Sequence, residues 1–283
     1  MMVKVIAITN QKGGTGKTTL SAILAYGLAK QGHKVLLIDL DPQAHLTSFF
    51  VKSTELDNYR GSIHMARGAE FKILPVSENI GLVPSNLRYI LDSYRGELPV
   101  SDTYAIDKRI RREPAITRKY EYVICDTPPE LFAPTIWALY AADYILIPTN
   151  FEELSLLGVR LLMRDVLPDV FPYRKNCKVL GVVLTNITKR YKKETIEKVG
   201  ESIKRFIARE IPRSLWDRFY EKPLFDTVVY RYRELADLIY RPRRWETPLF
   251  RIMSRAKDLD GIAVRLAVEV LTRERNFKPF RQY

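Results

Sequence analysis

Apolar residues along the chain fall into short, nearly unbroken runs separated by longer segments of helical spacing. VKVIAIT (3–9), VLLID (35–39), YEYVICD (120–126), YILIP (144–148) and KVLGVVLTN (178–186) are rich in β-branched residues and poor in polar ones. Such runs predict strands buried on both faces. ENIGLVPSN (78–86) predicts a strand end followed by a helix start. Lys17 to Gln31 has helical spacing and meets a stop at Gly32. Helical patches fill 86–119 with a break near Pro99, and TPPE after Asp126 is a turn. Residues 46–72 are polar and mixed and yield no element. The alternation predicts an α/β fold: a mostly parallel central β-sheet flanked by α-helices on both faces.

The last segment, 241–283, opens on the basic run RPRR. Within it Ile262, Leu266 and Val270, and Ala263, Ala267 and Leu271, recur at helical spacing. This predicts a helical C-terminal extension packed on a single domain of residues 1–240. No repeat or low-complexity linker marks a further boundary.

QKGGTGKTT (11–19) lies between the first strand and the first helix. Strand, glycine turn and helix are the setting of a phosphate-binding P-loop. Gly13, Gly14 and Gly16, with Thr15 among them, let backbone N–H groups turn inward around phosphate oxygens. The dipole of the following helix favours the same anion. Lys17 supplies a point charge to the β- and γ-phosphates, Thr18 is placed to ligate Mg²⁺, and Thr19 to reach the α-phosphate. The stretch departs from G-x-x-x-x-G-K-[ST] at its first position, where Gln11 stands for glycine, and it carries a second lysine, Lys12.

Asp126 ends a hydrophobic strand, as a Walker B aspartate does, and from there holds a water of the Mg²⁺ shell. Asp39 and Asp41 follow the second strand in DLDPQ (39–43). Asp41 is placed to orient or deprotonate the attacking water. Asp39 is either structural or in the outer Mg²⁺ shell.

Charge changes the picture of the second half. The net charge is +13, but residues 1–150 carry 17 Lys/Arg against 15 Asp/Glu, and residues 151–283 carry 29 against 18. Two readings stand: a polyanion-binding face on the C-terminal half, or the ion-pair-rich surface of a heat-stable protein. No apolar run is long enough to span a bilayer. Two cysteines far apart and three histidines exclude a recognisable zinc or iron–sulfur framework and leave a reducing cytoplasm as the default.

KGGTGKTT (12–19), DLDPQ (39–43), LVPSN (82–86), ICDTPP (124–129) and AADYILIP (141–148) occur in the order, and at roughly the spacing, of the ParA/MinD family of deviant-Walker ATPases. The chain most resembles its ParA-type, Soj-like DNA-partition members. The likeness covers about residues 1–240 and loosens after 160. IPRSLWDRFYEKPLFD (211–226) and RYRELADLI (231–239) resemble later family segments, while 46–72 and the tail after Arg241 depart from the pattern.

The resemblance implies an Mg²⁺-dependent ATPase that dimerises face to face around two ATP molecules. Lys12 of each protomer then reaches the phosphates held by the other, in the manner of an arginine finger; the alternative is contact with its own nucleotide. For the base, the resemblance points to Asn186 and to the backbone around Ile211, Pro212 and Arg213. A partition ATPase implies nonspecific double-stranded DNA, a ParB-like centromere-binding protein that stimulates hydrolysis, and a cytoplasmic, nucleoid-associated location. Candidate DNA contacts are Lys189, Arg190, Lys192 and Lys193, Arg231 and Arg233, and Arg241, Arg243 and Arg244. The alternative is a MinD-like membrane-surface ATPase anchored by the C-terminal helix, whose Asp258, Asp260, Glu269 and Glu274 repel anionic lipid. A metal-cluster relative lacks its cysteine ligands here.

Overall fold

A computed structural model describes residues 2–51, 59–85, 95, 102–188, 191–232 and 249–281, with 153–155 and 250–252 described as backbone only. Its strands are β1 (Lys4–Ile8), β2 (Val35–Asp39), β3 (Leu74–Pro75), β4 (Ile80–Val83), β5 (Tyr122–Asp126), β6 (Tyr144–Thr149) and β7 (Lys178–Leu184). They form one sheet in the order β3-β4-β2-β5-β1-β6-β7. Every pairing is parallel except β3 with β4; β3, two residues at the edge of the sheet, is absent from the hydrophobic pattern.

The helices are α1 (Lys17–Lys30), α2 (His45–Ser48), α3 (Ser62–Ala66), α4 (Ala105–Arg112), α5 (Pro114–Thr117), α6 (Ala133–Ala141), α7 (Glu153–Leu161), α8 (Leu167–Val170), α9 (Lys193–Glu210), α10 (Leu249–Arg255) and α11 (Lys257–Arg275). The unassigned stretch 46–72 thus contributes most of α2 and all of α3. Four or five residues per helix are too few for a periodic signal. The expected helix start at Asn86 lies outside the described residues.

Strand side chains alternate between two cores, one on each face of the sheet. Val5, Ala7, Leu36, Ile38, Val123 and Cys125 join one core. Ile6, Ile8, Val35, Leu37, Tyr122 and Ile124 join the other. Both faces are therefore dry, which is why the strands read as continuous apolar runs.

α1 is buried almost all round, from Leu20 through Leu28. The sheet covers one side and α11 the other, through Leu259, Ile262, Ala263, Leu266, Ala267 and Val270. Gly27 makes this contact possible, because a Cβ there would stand 2.0 Å from the carbonyl oxygen of Ala263. Polar bonds fix the packing at both ends of α11. Tyr26 Oη donates to Asp260 at 2.6 Å and Tyr122 Oη to Glu274 at 2.8 Å.

Residues 219–230 run beside the outer edge of β7, with parallel bridges Val179–Phe219, Val182–Leu224 and Ile187–Tyr230. Arg273 of α11 clamps this segment: Nη1 donates to the carbonyls of Leu180 and Lys222, and Nη2 to that of Leu224. The edge of the sheet is thereby covered, which removes a template for strand pairing with other chains.

Gly27→Ala gains helix propensity but drives a methyl into the α11 backbone. The expected net loss is about 1–2 kcal/mol, read by chemical denaturation.

Candidate nucleotide site

β2, β5 and β1 are neighbours and parallel, so their C-terminal ends share one edge of the sheet. Register places Asp126 opposite both Ile8 of β1 and Asp39 of β2. Ligands of open α/β sheets bind at this edge, where loops leave the strands. The glycine-rich loop leaves β1 there and enters α1.

Gly14 and Gly16 have left-handed backbones, with φ of 74° and 79°. Gly16 is the N-cap of α1, and no side chain caps the helix. The first-turn N–H groups are therefore available to an anion, with the helix dipole behind them. Gly13 and Gly14 are exposed, Thr18 and Thr19 are half-buried at the start of α1, and Thr15 is buried. The Thr15 hydroxyl donates to the carbonyl of Lys12 at 3.2 Å. The Thr185 hydroxyl, just beyond β7, donates to the carbonyl of Thr15 and to that of Thr149 at 3.1 Å. A Cβ on Gly16 would meet Thr185 at 3.2 Å. Thr185 thus ties the loop to the neighbouring strands, a role no motif announces.

Lys17 is 6% exposed, and its ammonium donates to the carbonyls of Asn10 at 3.2 Å and Lys12 at 3.0 Å. Burial holds its pKa below the ordinary lysine value, countered chiefly by Asp126 and then by Asp41 and Glu130. Lys12 is half-buried, and among the described residues its ammonium has no ion-pair partner. Its Cβ lies beside Gly158 of α7, where any added side-chain carbon would also strike Asn10 Oδ1. Gly158 therefore holds α7 close to the loop.

The three aspartates divide their work. Asp39 is fully buried and ties the strand end together. Its Oδ1 accepts the N–H of Asp41 at 3.0 Å, and its Oδ2 accepts both the N–H and the hydroxyl of Thr47, at 2.8 and 2.6 Å. Burial, then the Asp126 charge, pushes its carboxyl well above the ordinary range. Its bonds are those of the structural alternative. Asp41 is 6% exposed, and its Oδ1 accepts the N–H of Gln43 at 2.8 Å, which stiffens the turn at Pro42.

Asp126 Oδ1 accepts the hydroxyl of Ser21 at 2.9 Å, one turn into α1. Burial pushes this carboxyl up to about 7, with Asp41 adding to the rise and Thr18, Ser21 and Lys17 opposing it. Its Oδ2 is buried and has no hydrogen-bond partner among the described residues. An unpaired buried carboxylate oxygen beside the Thr18 hydroxyl fits a hydrated Mg²⁺, which takes one or two protein oxygens and completes its octahedron with water and phosphate. Among the described residues no cluster of three or more His, Cys, Asp or Glu is placed to hold a metal by itself.

Of the two candidates for the base, the structure brings only one to this edge. Asn186 follows Thr185 directly, is exposed, and adopts a left-handed backbone with φ of 57°. Pro212 is exposed at the opposite end of β7. Its neighbours Asp217, Arg218 and Phe219 contact Lys178, Lys175 and Val179, at and before the start of that strand. β7 is seven residues long, a separation of about 20 Å at the usual strand rise. α9 carries the chain back along the sheet before IPR begins, a reversal that linear spacing does not reveal.

Lys192, Lys193 and Arg231 are exposed and lie towards the nucleotide end of β7: the N–H of Arg231 donates to the carbonyl of Ile187 at 2.9 Å and that of Tyr191 to the carbonyl of Thr188 at 3.4 Å. Lys189, Arg190, Arg233, Arg241, Arg243 and Arg244 lie outside the described residues. Among the described residues no helix is long and apolar enough to cross a membrane.

Asp126 binds more proton in the folded than in the unfolded protein between its ordinary 3.8 and about 7. Its contribution to nucleotide-free stability is therefore full below that window and lost as pH rises through it. Thermal unfolding across the window is expected to show that decline in the wild type and a flatter profile in Asp126→Asn.

A family model described as an AAA domain matches residues 3–169. The sporulation initiation inhibitor protein Soj of Bacillus subtilis is 33% identical over 193 residues, covering 67% of this chain and 75% of Soj. The chromosome partitioning protein ParA of Myxococcus xanthus is 32% identical over 240 residues, covering 81% of each. In fold the chain is similar to pNOB8 ParA, with a TM-score of 0.82 at 24% identity over 97% of this chain and 99% of that one. pNOB8 ParA is also known bound to nonspecific DNA. With this P-loop, this sheet and these relatives, the chain belongs to the ParA/MinD family of ATPases.

Proposed function

We propose that this protein is a DNA-partition ATPase in which ATP pairs two protomers and the pair holds DNA nonspecifically. The observation that carries this reading is Lys12. Its backbone carbonyl is gripped by the Lys17 ammonium, while its own ammonium is left without an ion-pair partner among the described residues. A second cation at the mouth of a phosphate loop is suited to the phosphates of a facing protomer. There it offsets the repulsion of two apposed triphosphates and the charge that builds on the transferring phosphoryl group.

In this reading Gly13, Gly14, Thr15, Gly16, Lys17, Thr18 and Thr19 cradle the triphosphate. Lys17 exchanges its backbone carbonyl partners for phosphate oxygens. Thr18 and Asp126 would hold Mg²⁺, Asp126 through water; bound there, the ion would neutralise phosphate charge. Asp41 orients the attacking water and takes up its proton. Asn186 borders the base. Relatives named for chromosome partitioning and a neighbour bound to nonspecific DNA support the cargo.

DNA is held through Lys192, Lys193 and Arg231, aided by the basic residues beyond the described segments. A ParB-like centromere-binding partner stimulates hydrolysis and so releases DNA, in a cytoplasmic, nucleoid-associated cycle. The MinD-like alternative loses its main support, because the apolar face of α11 is covered by α1.

Lys12→Ala is expected to bind ATP yet stay monomeric, whereas Lys17→Ala loses ATP binding. Light scattering after gel filtration with ATP and Mg²⁺ reads both; a normal ATP-dependent dimer of the Lys12 variant removes its role in trans. Asp41→Ala is expected to keep ATP-dependent dimerisation and DNA binding while turnover falls at least tenfold. Wild-type binding to random-sequence duplex is expected only with ATP and Mg²⁺, and to weaken steeply with salt. No binding at low salt rejects DNA as the ligand.

A further inference from the structure

Arg160 near the end of α7 and Arg205 and Arg209 on α9 line one pocket of about 270 Å³, together with Ser202, Phe206 and Glu210. Ser202, Arg205 and Arg209 are spaced at i, i+3 and i+7, so they share one stripe of α9. That stripe faces Arg160 across the groove between the two helices. Arg160 lies over the ring of Phe206, 5.7 Å from its centroid. All three arginines are exposed.

The cluster differs from the other cations of α9. Lys193 pairs with Glu197 at 3.7 Å and Lys204 with Glu201 at 2.9 Å. Among the described residues, Arg160, Arg205 and Arg209 have no carboxylate within ion-pair distance. Glu210 is the one acidic residue lining the pocket. Like charges at i, i+4 disfavour a helix, and a third facing them adds to the repulsion. Three planar guanidinium forks and a hydroxyl, gathered in a concavity where one carboxylate faces three cations, match an anion with several acceptor oxygens.

We propose that Arg160, Arg205 and Arg209, with Ser202, form a second phosphate-class oxyanion site, separate from the P-loop. Its ligand is either a backbone phosphate of DNA or a free polyphosphate, and the recognition chemistry is the same for both. Gly158, two residues before Arg160, abuts Asn10 and Lys12. An anion here would therefore sit on the helix that touches the loop.

The test compares wild type with Arg205→Gln/Arg209→Gln, with Arg160→Gln, and with Arg112→Gln/Arg118→Gln. The last removes two exposed charges on the α4–α5 side and controls for net charge. In one arm, inorganic tripolyphosphate is titrated against protein held in excess ADP and Mg²⁺, and its affinity is measured calorimetrically. In the other, a random-sequence duplex is titrated over a range of salt with ATP and Mg²⁺. A loss of tripolyphosphate affinity of about tenfold or more in the pocket variants, but not in the control, supports the site. A salt slope shallower by about 2 in the double pocket variant, but not in the control, identifies DNA as the source. A lost tripolyphosphate response with an unchanged DNA slope identifies a free polyphosphate. Pocket variants that match the control in both arms overturn the proposal. If no variant or wild type binds DNA, the partition reading fails, while the tripolyphosphate arm still decides the pocket.

Discussion

The site depends on one constraint: a lysine ammonium and three carboxylates are forced out of water together at the ends of β1, β2 and β5. Parallel register makes this unavoidable, because Asp126 stands level with Asp39 on one side and with the start of the loop on the other. Charges this buried are costly unless paired. The protein answers in three ways. Thr47 and the Asp41 N–H bind Asp39. Ser21 binds one oxygen of Asp126. Lys17 bonds to the loop's own carbonyls. Among the described residues the second oxygen of Asp126 has no hydrogen-bond partner, and a hydrated cation and a phosphate chain would complete its set.

If phosphate binds as proposed, the loop itself would respond. Lys17 presently bonds to the backbone on both sides of Gln11, including the carbonyl of Lys12. Moving it to a phosphate releases that carbonyl, so the segment bearing Lys12 would register whether phosphate is bound. Thr185 and Gly158 brace the loop from β7 and α7, which limits the response to the few residues between them. Switching would therefore be local, and the sheet underneath need not deform.

The C-terminal helix supports the element that carries the loop. By covering α1 it lets that helix be apolar on both sides from Leu20 through Leu28. Arg273 extends the cover to the segment beside β7, whose far end carries Tyr230 and Arg231 to the nucleotide edge. The same packing leaves the apolar stripe of α11 no access to a lipid surface.

Much of this was legible along the chain. Continuous β-branched runs meant a sheet buried on both faces, and the spacing of Gly13, Gly14, Gly16, Lys17 and Thr18 after the first run meant a phosphate loop. These are local signals: a strand's period and a loop's backbone demands involve neighbouring residues only. The repeat of Ile262, Leu266 and Val270 likewise marked a helix with one face to bury. Only the tertiary structure decided what that face meets, since Gly27 is a packing site solely because Ala263 arrives opposite it. Only the fold could separate Asn186 from Pro212, because α9 reverses the chain between them. Thr185 and Ser21 gained their roles, and Arg160 its place across from Arg205 and Arg209, in the same way. Each acts on a partner many residues away, and such distances are set by sheet order and helix packing, which no local pattern records.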